Sequence, residues 1–153
     1  MRFRFLIFLL ALFAVNMQVP TAEAGFRIES VDNDFPGEIS AAAEEGKNLV
    51  VFFHQAGCPY CDKMRARVFP ATKIVDYFSP NFVMFESNIR GNLDVVMPDG
   101  TEGTERDLAK KLRVRATPVI IFFDQQGKVA LRTTGFIGVD IFYLAGKYVT
   151  DGI

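Results

Sequence analysis

Apolar and polar positions in this chain fall into two alternating kinds of run. Leu49-Val50-Val51-Phe52-Phe53 and Val119-Ile120-Ile121-Phe122-Phe123 are unbroken apolar stretches, the pattern of strands covered on both faces. Residues 82–86 and 128–134 read as two more strands, the second entered through the turn Asp124-Gln125-Gln126-Gly127. Helical spacing fills the intervals. An alanine-rich segment, 38–45, follows Phe35-Pro36-Gly37 and stops at Gly46. Residues 60–69 set Met64, Val68 and Phe69 on a side to be buried, with Asp62, Lys63, Arg65 and Arg67 on the solvated side. A further helical turn or two, 72–78, is expected to end at Ser79-Pro80. Thr104 and Asp107 have the spacing of a capping box, with Asp for the usual Glu, and open a helix through Leu112. A last helix covers about 139–149. Residues 88–103 are turn-rich, and Val95-Val96-Met97 before Pro98-Asp99-Gly100 predicts a small hairpin or a surface excursion. This order predicts an α/β fold, a mixed central sheet sandwiched by helices.

The first residues follow another logic. Arg2 and Arg4 precede an apolar run from Leu6 to Val15, and Thr21-Ala22-Glu23-Ala24 places small residues where a signal peptidase reads them. That is the charged, apolar, cleavable order of an export signal. The run is about half of the roughly 20 residues needed to span a bilayer. Residues 1–24 are therefore expected to be removed, leaving 25–153 as one periplasmic domain, soluble after cleavage. No repeat or linker divides that stretch.

Composition narrows the function. With 17 basic and 18 acidic residues the net charge is −1; losing Arg2, Arg4 and Glu23 with the leader makes it −2. Neither value supplies a field for nucleic acid. The chain has two cysteines and one histidine, too few for a disulfide-built scaffold or the four soft ligands of a structural zinc. No metal or bound cofactor is expected.

The cysteines are Cys58-Pro59-Tyr60-Cys61, just after a buried strand and at the start of a helix, the context in which this spacing reads as a redox motif. At a first helical turn Cys58 meets unpaired backbone N–H groups and the positive end of the helix dipole, both of which favour thiolate. Cys61 lies one turn deeper on the same face, placed to attack a mixed disulfide formed at Cys58. Pro59 stiffens the turn without losing a needed donor. Cys58 is thus the expected nucleophile and Cys61 the resolving thiol. A purely structural bridge would close a four-residue loop and stabilise little. Thr117-Pro118 precedes the third apolar strand. A cis bond there would expose Thr117 backbone groups to a substrate chain, while a trans bond would simply order the strand entry.

These residues, with the Gln126-Gly127 turn and Thr134-Gly135-Phe136 before the last helix, resemble the thioredoxin superfamily over nearly all of 25–153. His54 ahead of Cys58-Pro59-Tyr60-Cys61-Asp62-Lys63-Met64, the 88–103 segment and the ending Lys147-Tyr148-Val149 are similar to exported thioredoxins of sulfur-oxidation loci (SoxW-like) and to the C-terminal domain of DsbD-type transporters. The resemblance implies a thioredoxin fold, a cis Pro118, a nucleophilic Cys58 and a resolving Cys61. It also implies a role in reducing disulfide-bearing exported proteins, the pair being re-reduced by a membrane thiol transporter of the DsbD or CcdA type; a monomer is expected. Disulfide donation or isomerisation is the same chemistry run otherwise. The chain has neither the inserted helical domain of DsbA-like oxidases nor an isomerase dimerisation domain, which favours reduction. A third reading is a non-catalytic binding module with idle cysteines.

One position departs from the family. Cytoplasmic thioredoxins carry a buried aspartate six residues before the first cysteine, as proton acceptor for the resolving thiol; here that residue is Phe52. Glu86, near the end of the neighbouring strand, is the nearest replacement on pattern, against the plain reading of a solvated strand end. His54 either tunes the thiolate or shuttles a proton, or is a partly buried histidine with one backbone bond. Tyr60 either presents its ring to partners or is a helix-surface residue. Lys110, Lys111, Arg113 and Arg115, which share their element with Glu105 and Asp107, read as a solvated helix face.

Overall fold

The computed structural model describes residues 33–152. The expected leader, 1–24, and its cleavage point lie outside the described residues.

Helix α1 covers Phe35–Glu44. It starts three residues ahead of the expected helix because Asp34 caps it, its side chain accepting from Gly37 N at 3.3 Å, with Pro36 in the first turn where no amide is needed. Strand β1, Asn48–His54, and helix α2, Pro59–Arg67, follow. The helix stops short of Phe69 because the residue before Pro70 is disfavoured in helical conformation. Helix α3, Thr72–Asn81, instead runs through Pro80. Its last carbonyls find donors without the proline: Asn81 Nδ2 donates to Tyr77 O at 2.6 Å and the Phe82 amide to Phe78 O.

Strand β2 is Phe82–Asn88. Strands β3, Asp94–Val96, and β4, Glu102–Thr104, form a separate antiparallel pair. The 88–103 segment is thus a hairpin and more than a surface excursion: it buries Val95 and Met97, and Val96 N donates to Asn33 O at 3.0 Å. Helix α4, Glu105–Lys111, carries the expected capping box between Thr104 and Asp107. Asp107 is held down at about 2, first by the Lys110 ammonium and then by Thr104. Asp99 is likewise held at about 2 by Lys111 and Thr101, which ties the hairpin to α4. The basic residues of this helix are therefore partly engaged by the protein's own carboxylates. Strands β5, Val119–Phe123, and β6, Val129–Thr134, and helix α5, Val139–Asp151, complete the chain.

The four-stranded sheet has the order β2-β1-β5-β6, with β1 parallel to β2 and antiparallel to β5, and β6 antiparallel to β5. The middle five residues of β1 and all of β5 are buried, as unbroken apolar strands require. Alternation along each strand divides the core in two. Val50, Phe52, Ile120 and Phe122 face Met64 of α2, Ile74 and Phe78 of α3 and Phe142 of α5. Leu49, Val51, Phe53, Ile121 and Phe123 face Phe35 and Ile39 of α1, Leu108 of α4 and the hairpin's Val95 and Met97. The cysteines belong to the first half.

Candidate active site

From the end of β1 at His54 the chain turns through residues 55–57 into α2. Gly57 takes φ +69°, the left-handed region that a side chain would resist. Cys58 then stands one position outside the helix, as its N-cap, with extended backbone at φ −100° and ψ 94°. Its Sγ accepts from Cys61 N at 3.2 Å, and its carbonyl accepts from the amides of Cys61 and Asp62 at 3.0 and 3.1 Å. Pro59 occupies the first helical turn, where its lack of an amide proton costs nothing. The helix N-terminus is thus aimed at the sulfur of Cys58, the place where negative charge would form.

Cys58 and Cys61 are joined in a disulfide, S–S 2.05 Å with Cα atoms 5.3 Å apart. Both cysteines are buried, Cys58 at 5% exposure and Cys61 at 0%. The residual exposure at Cys58 marks the side from which a thiolate or disulfide would arrive.

The Thr117–Pro118 bond is cis. Antiparallel pairing of Phe53 with Val119 puts Pro118 beside His54 and the turn leading to Cys58. The Pro118 carbonyl accepts from Gly135 N at 2.8 Å, which brings the Gly135-Phe136 loop to the same end of the sheet. Tyr60, 59% exposed, approaches Phe136 with ring centroids 6.4 Å apart. Lys63, three residues along α2, lays its ammonium 4.3 Å from the centre of the same ring.

A second group of side chains lies on the cysteine face. Parallel pairing sets Glu86 next to Phe52, on the same face of the sheet. Glu86 is no solvated strand end: its side chain is 18% exposed and both oxygens are gripped by Arg65, from Nε at 2.8 Å and from Nη2 at 2.5 Å. The guanidinium of Arg65 also lies 5.2 Å from the centre of the Phe52 ring, and the His54 imidazole stacks on that ring at 6.3 Å and 16°. His54 Nε2 is 3.5 Å from Glu86 Oε2. Where the family places an aspartate, Phe52 thus stands among a histidine, an arginine and a glutamate.

Burial holds the His54 pKa below its ordinary value, with Arg65 acting in the same sense and Glu86 opposing. At neutral pH the imidazole is uncharged, so it supplies no positive field for a thiolate. The unfolded chain takes up the proton first, so stability is whole above about pH 6.5 and declines as the pH falls through the lower folded value. His54 is the only histidine, which isolates its effect. Urea melts at pH 7.5 and 5.5 are expected to show a larger loss for wild type than for His54→Asn, and equal losses would remove this histidine as the cause.

From sequence Glu105 has no assigned role, and Arg65 counts only as a positive neighbour that would stabilise the thiolate. Arg65 sits on the helix face assigned to solvent, and nothing in the spacing marks it as Glu86's partner. Glu105, assigned with its helix to the solvated face, is 6% exposed and accepts from Asn88 N at 2.8 Å, tying α4 to the end of β2. A Cβ at Gly91 would collide with that carboxylate, so the close approach needs glycine there. Among the described residues no three His, Cys, Asp or Glu side chains come together as a metal site, and no helix is long and apolar enough to cross a membrane.

A helix-capping disulfide beside a cis proline, on a mixed sheet covered by helices on both faces, defines a thioredoxin-fold protein of the thiol–disulfide type. Residues 35–150 match the thioredoxin-like domain family, and the chain belongs to it. It is 29% identical over 135 residues to the thiol:disulfide interchange protein DsbD of Pseudoalteromonas atlantica. That match takes in 84% of this chain and 21% of the relative, so the chain spans about a fifth of the relative's length. A thioredoxin-fold protein from Helicobacter pylori superposes with a TM-score of 0.66 at 21% identity, over 86% of this chain and 81% of the other. The oxidised C-terminal domain of Neisseria meningitidis DsbD gives 0.58 at 16% identity, over 74% and 90%. These structural likenesses speak for the fold.

Proposed function

We propose that the protein is an exported, periplasmic thiol:disulfide oxidoreductase acting as a monomeric reductase of protein disulfides. The observation that carries the reading is the pair of cysteines joined at the N-cap of α2, of which Cys58 keeps the residual exposure. In the reduced protein the Cys58 thiolate attacks a substrate disulfide, forming a mixed disulfide and releasing one substrate thiolate. Cys61 then attacks the Cys58 sulfur, re-forming the bond seen here and freeing the second substrate thiol. Each cycle carries two electrons to the substrate and leaves the protein oxidised, so a dithiol donor must restore it. The likeness to DsbD supports a membrane thiol transporter of that type as the donor. Thr117 and Pro118 offer the edge along which an extended substrate lies, with Pro59 and Tyr60 on its other side.

The proton of Cys61 passes, in this reading, to neutral His54, which Glu86 orients. The same contacts support reduction over donation. A strong disulfide donor stabilises its thiolate; here the Arg65 charge is matched by Glu86 and His54 is uncharged at neutral pH, which leaves the helix N-terminus and exposed Lys63 as the positive influences on Cys58.

The test is the reduction potential of the Cys58/Cys61 pair in glutathione or dithiothreitol buffers, with insulin reduction as the assay of turnover. A value near or below the roughly −270 mV of thioredoxin is expected; one near the roughly −120 mV of DsbA would make the protein a disulfide donor. A pair that never reduces insulin would leave a binding module.

A further inference from the structure

We infer that Lys63, set on the Phe136 ring beside Tyr60, selects disulfide partners that carry a carboxylate next to the reacting cysteine. The inference rests on the reading of Cys58 and Cys61 as an exchange site. Tyr60 and Lys63 stand three residues apart on α2, hence on one face, and both reach Phe136. The loop of Phe136 is tied to Pro118 through Gly135 N. The patch therefore lies within the opening through which a substrate reaches Cys58.

Lys63 is exposed, and no carboxylate of the described residues lies within 4 Å of it; its one close partner is the ring, which fixes the ammonium without neutralising it. Its neighbour Asp62 is engaged by Arg65 at 3.3 Å, and Arg65 also holds Glu86. The dipole of α2 adds positive potential at Cys58. Arg65 is thus shared between two carboxylates, and Lys63 is the exposed cation here that no carboxylate of the described residues holds. An extended segment with an acidic side chain beside its cysteine complements it, with the apolar part of the segment resting on Tyr60 and Phe136. A basic segment meets Lys63 as a like charge.

The experiment uses two blocked disulfide peptides, identical except for Glu or Lys next to the cysteine. Each is reduced by stoichiometric reduced protein at low salt, and each rate is divided by that with dithiothreitol to remove the peptide's own reactivity. The acidic peptide is expected to be about two- to fivefold faster, the range of an exposed ion pair, and the preference should fade in high salt. Lys63→Gln should bring the ratio towards one and Lys63→Glu should invert it. Lys128→Glu makes the same change in net charge at the far end of β5 and should keep the wild-type ratio. A wild-type ratio of one, or a ratio that Lys63→Glu leaves in place, overturns the inference. So does a ratio that Lys128→Glu shifts equally, which would assign the preference to overall charge. If neither peptide is reduced, the exchange reading itself falls and takes this one with it.

Discussion

Cys58→Ser is expected to reduce insulin no faster than the uncatalysed background, while Cys61→Ser fails differently, by stopping halfway. The reason is the order in which the two sulfurs can be reached. Cys61 is fully enclosed by the first half of the core and Cys58 keeps a small exposed face. The first bond to substrate must therefore form at Cys58, whose sulfur also receives the Cys61 amide at 3.2 Å. Without Cys58 no covalent intermediate exists. Without Cys61 the intermediate forms but lacks the neighbouring thiol that would resolve it, so substrate stays attached through Cys58. Non-reducing gels of the Cys61→Ser protein mixed with oxidised substrate should show a band that dithiothreitol removes, and the Cys58→Ser protein should show none. Undiminished turnover by Cys58→Ser would take Cys58 out of the mechanism, and a stable adduct on Cys61 instead would reverse the assignment.

The largest expected effect on folding is at Phe142. This residue of α5 is fully buried, stacks on Phe78 of α3 with centroids 4.3 Å apart and planes at 19°, and touches the rings of Phe69 and Phe122 at 5.6 and 6.1 Å. With Ala145 it forms the buried part of α5 that shares a core with α2, α3 and the sheet. One turn on, a Cβ at Gly146 would meet the Phe78 ring at 2.8 Å, so the two helices already approach as closely as they can and cannot close over a gap. Phe142→Ala is expected to cost about 3–5 kcal/mol, lowering the Tm by roughly 10–25 °C for a domain of this size. Leu144→Ala, two residues away and 56% exposed, should change stability by no more than about 0.5 kcal/mol. Chemical denaturation of both variants measures the difference, and comparable losses would show that Phe142 is not the keystone of this interface.

Most of the architecture was legible along the chain because it depends on local periodicity. Unbroken apolar runs marked β1 and β5 as central strands, since only a strand covered on both faces tolerates them. The capping box at Thr104 and Asp107, the turn before β6 and the position of the cysteines at a helix start are short-range patterns, read over three or four residues. The edges of helices were less legible. Whether α3 passes Pro80 depends on donors supplied by Asn81 and Phe82, and whether 88–103 is surface or core depends on where Val95 and Met97 come to rest.

The sequence by itself determined which residues are able to react: two cysteines three positions apart, one histidine, and a proline entering a buried strand. What only the tertiary structure decided is how those residues are charged and reached. Glu86 and Arg65 are 21 positions apart and meet because β2 pairs with β1 in parallel while α2 lies over that face. His54 is neutral because the fold buries it, and Lys63 keeps its charge exposed because Phe136, 73 positions further along the chain, supplies a ring and no carboxylate. Periodicity within an element reports burial, which is a local average over one face. Pairing between side chains from distant elements is set by register and packing, and no spacing along the chain encodes it.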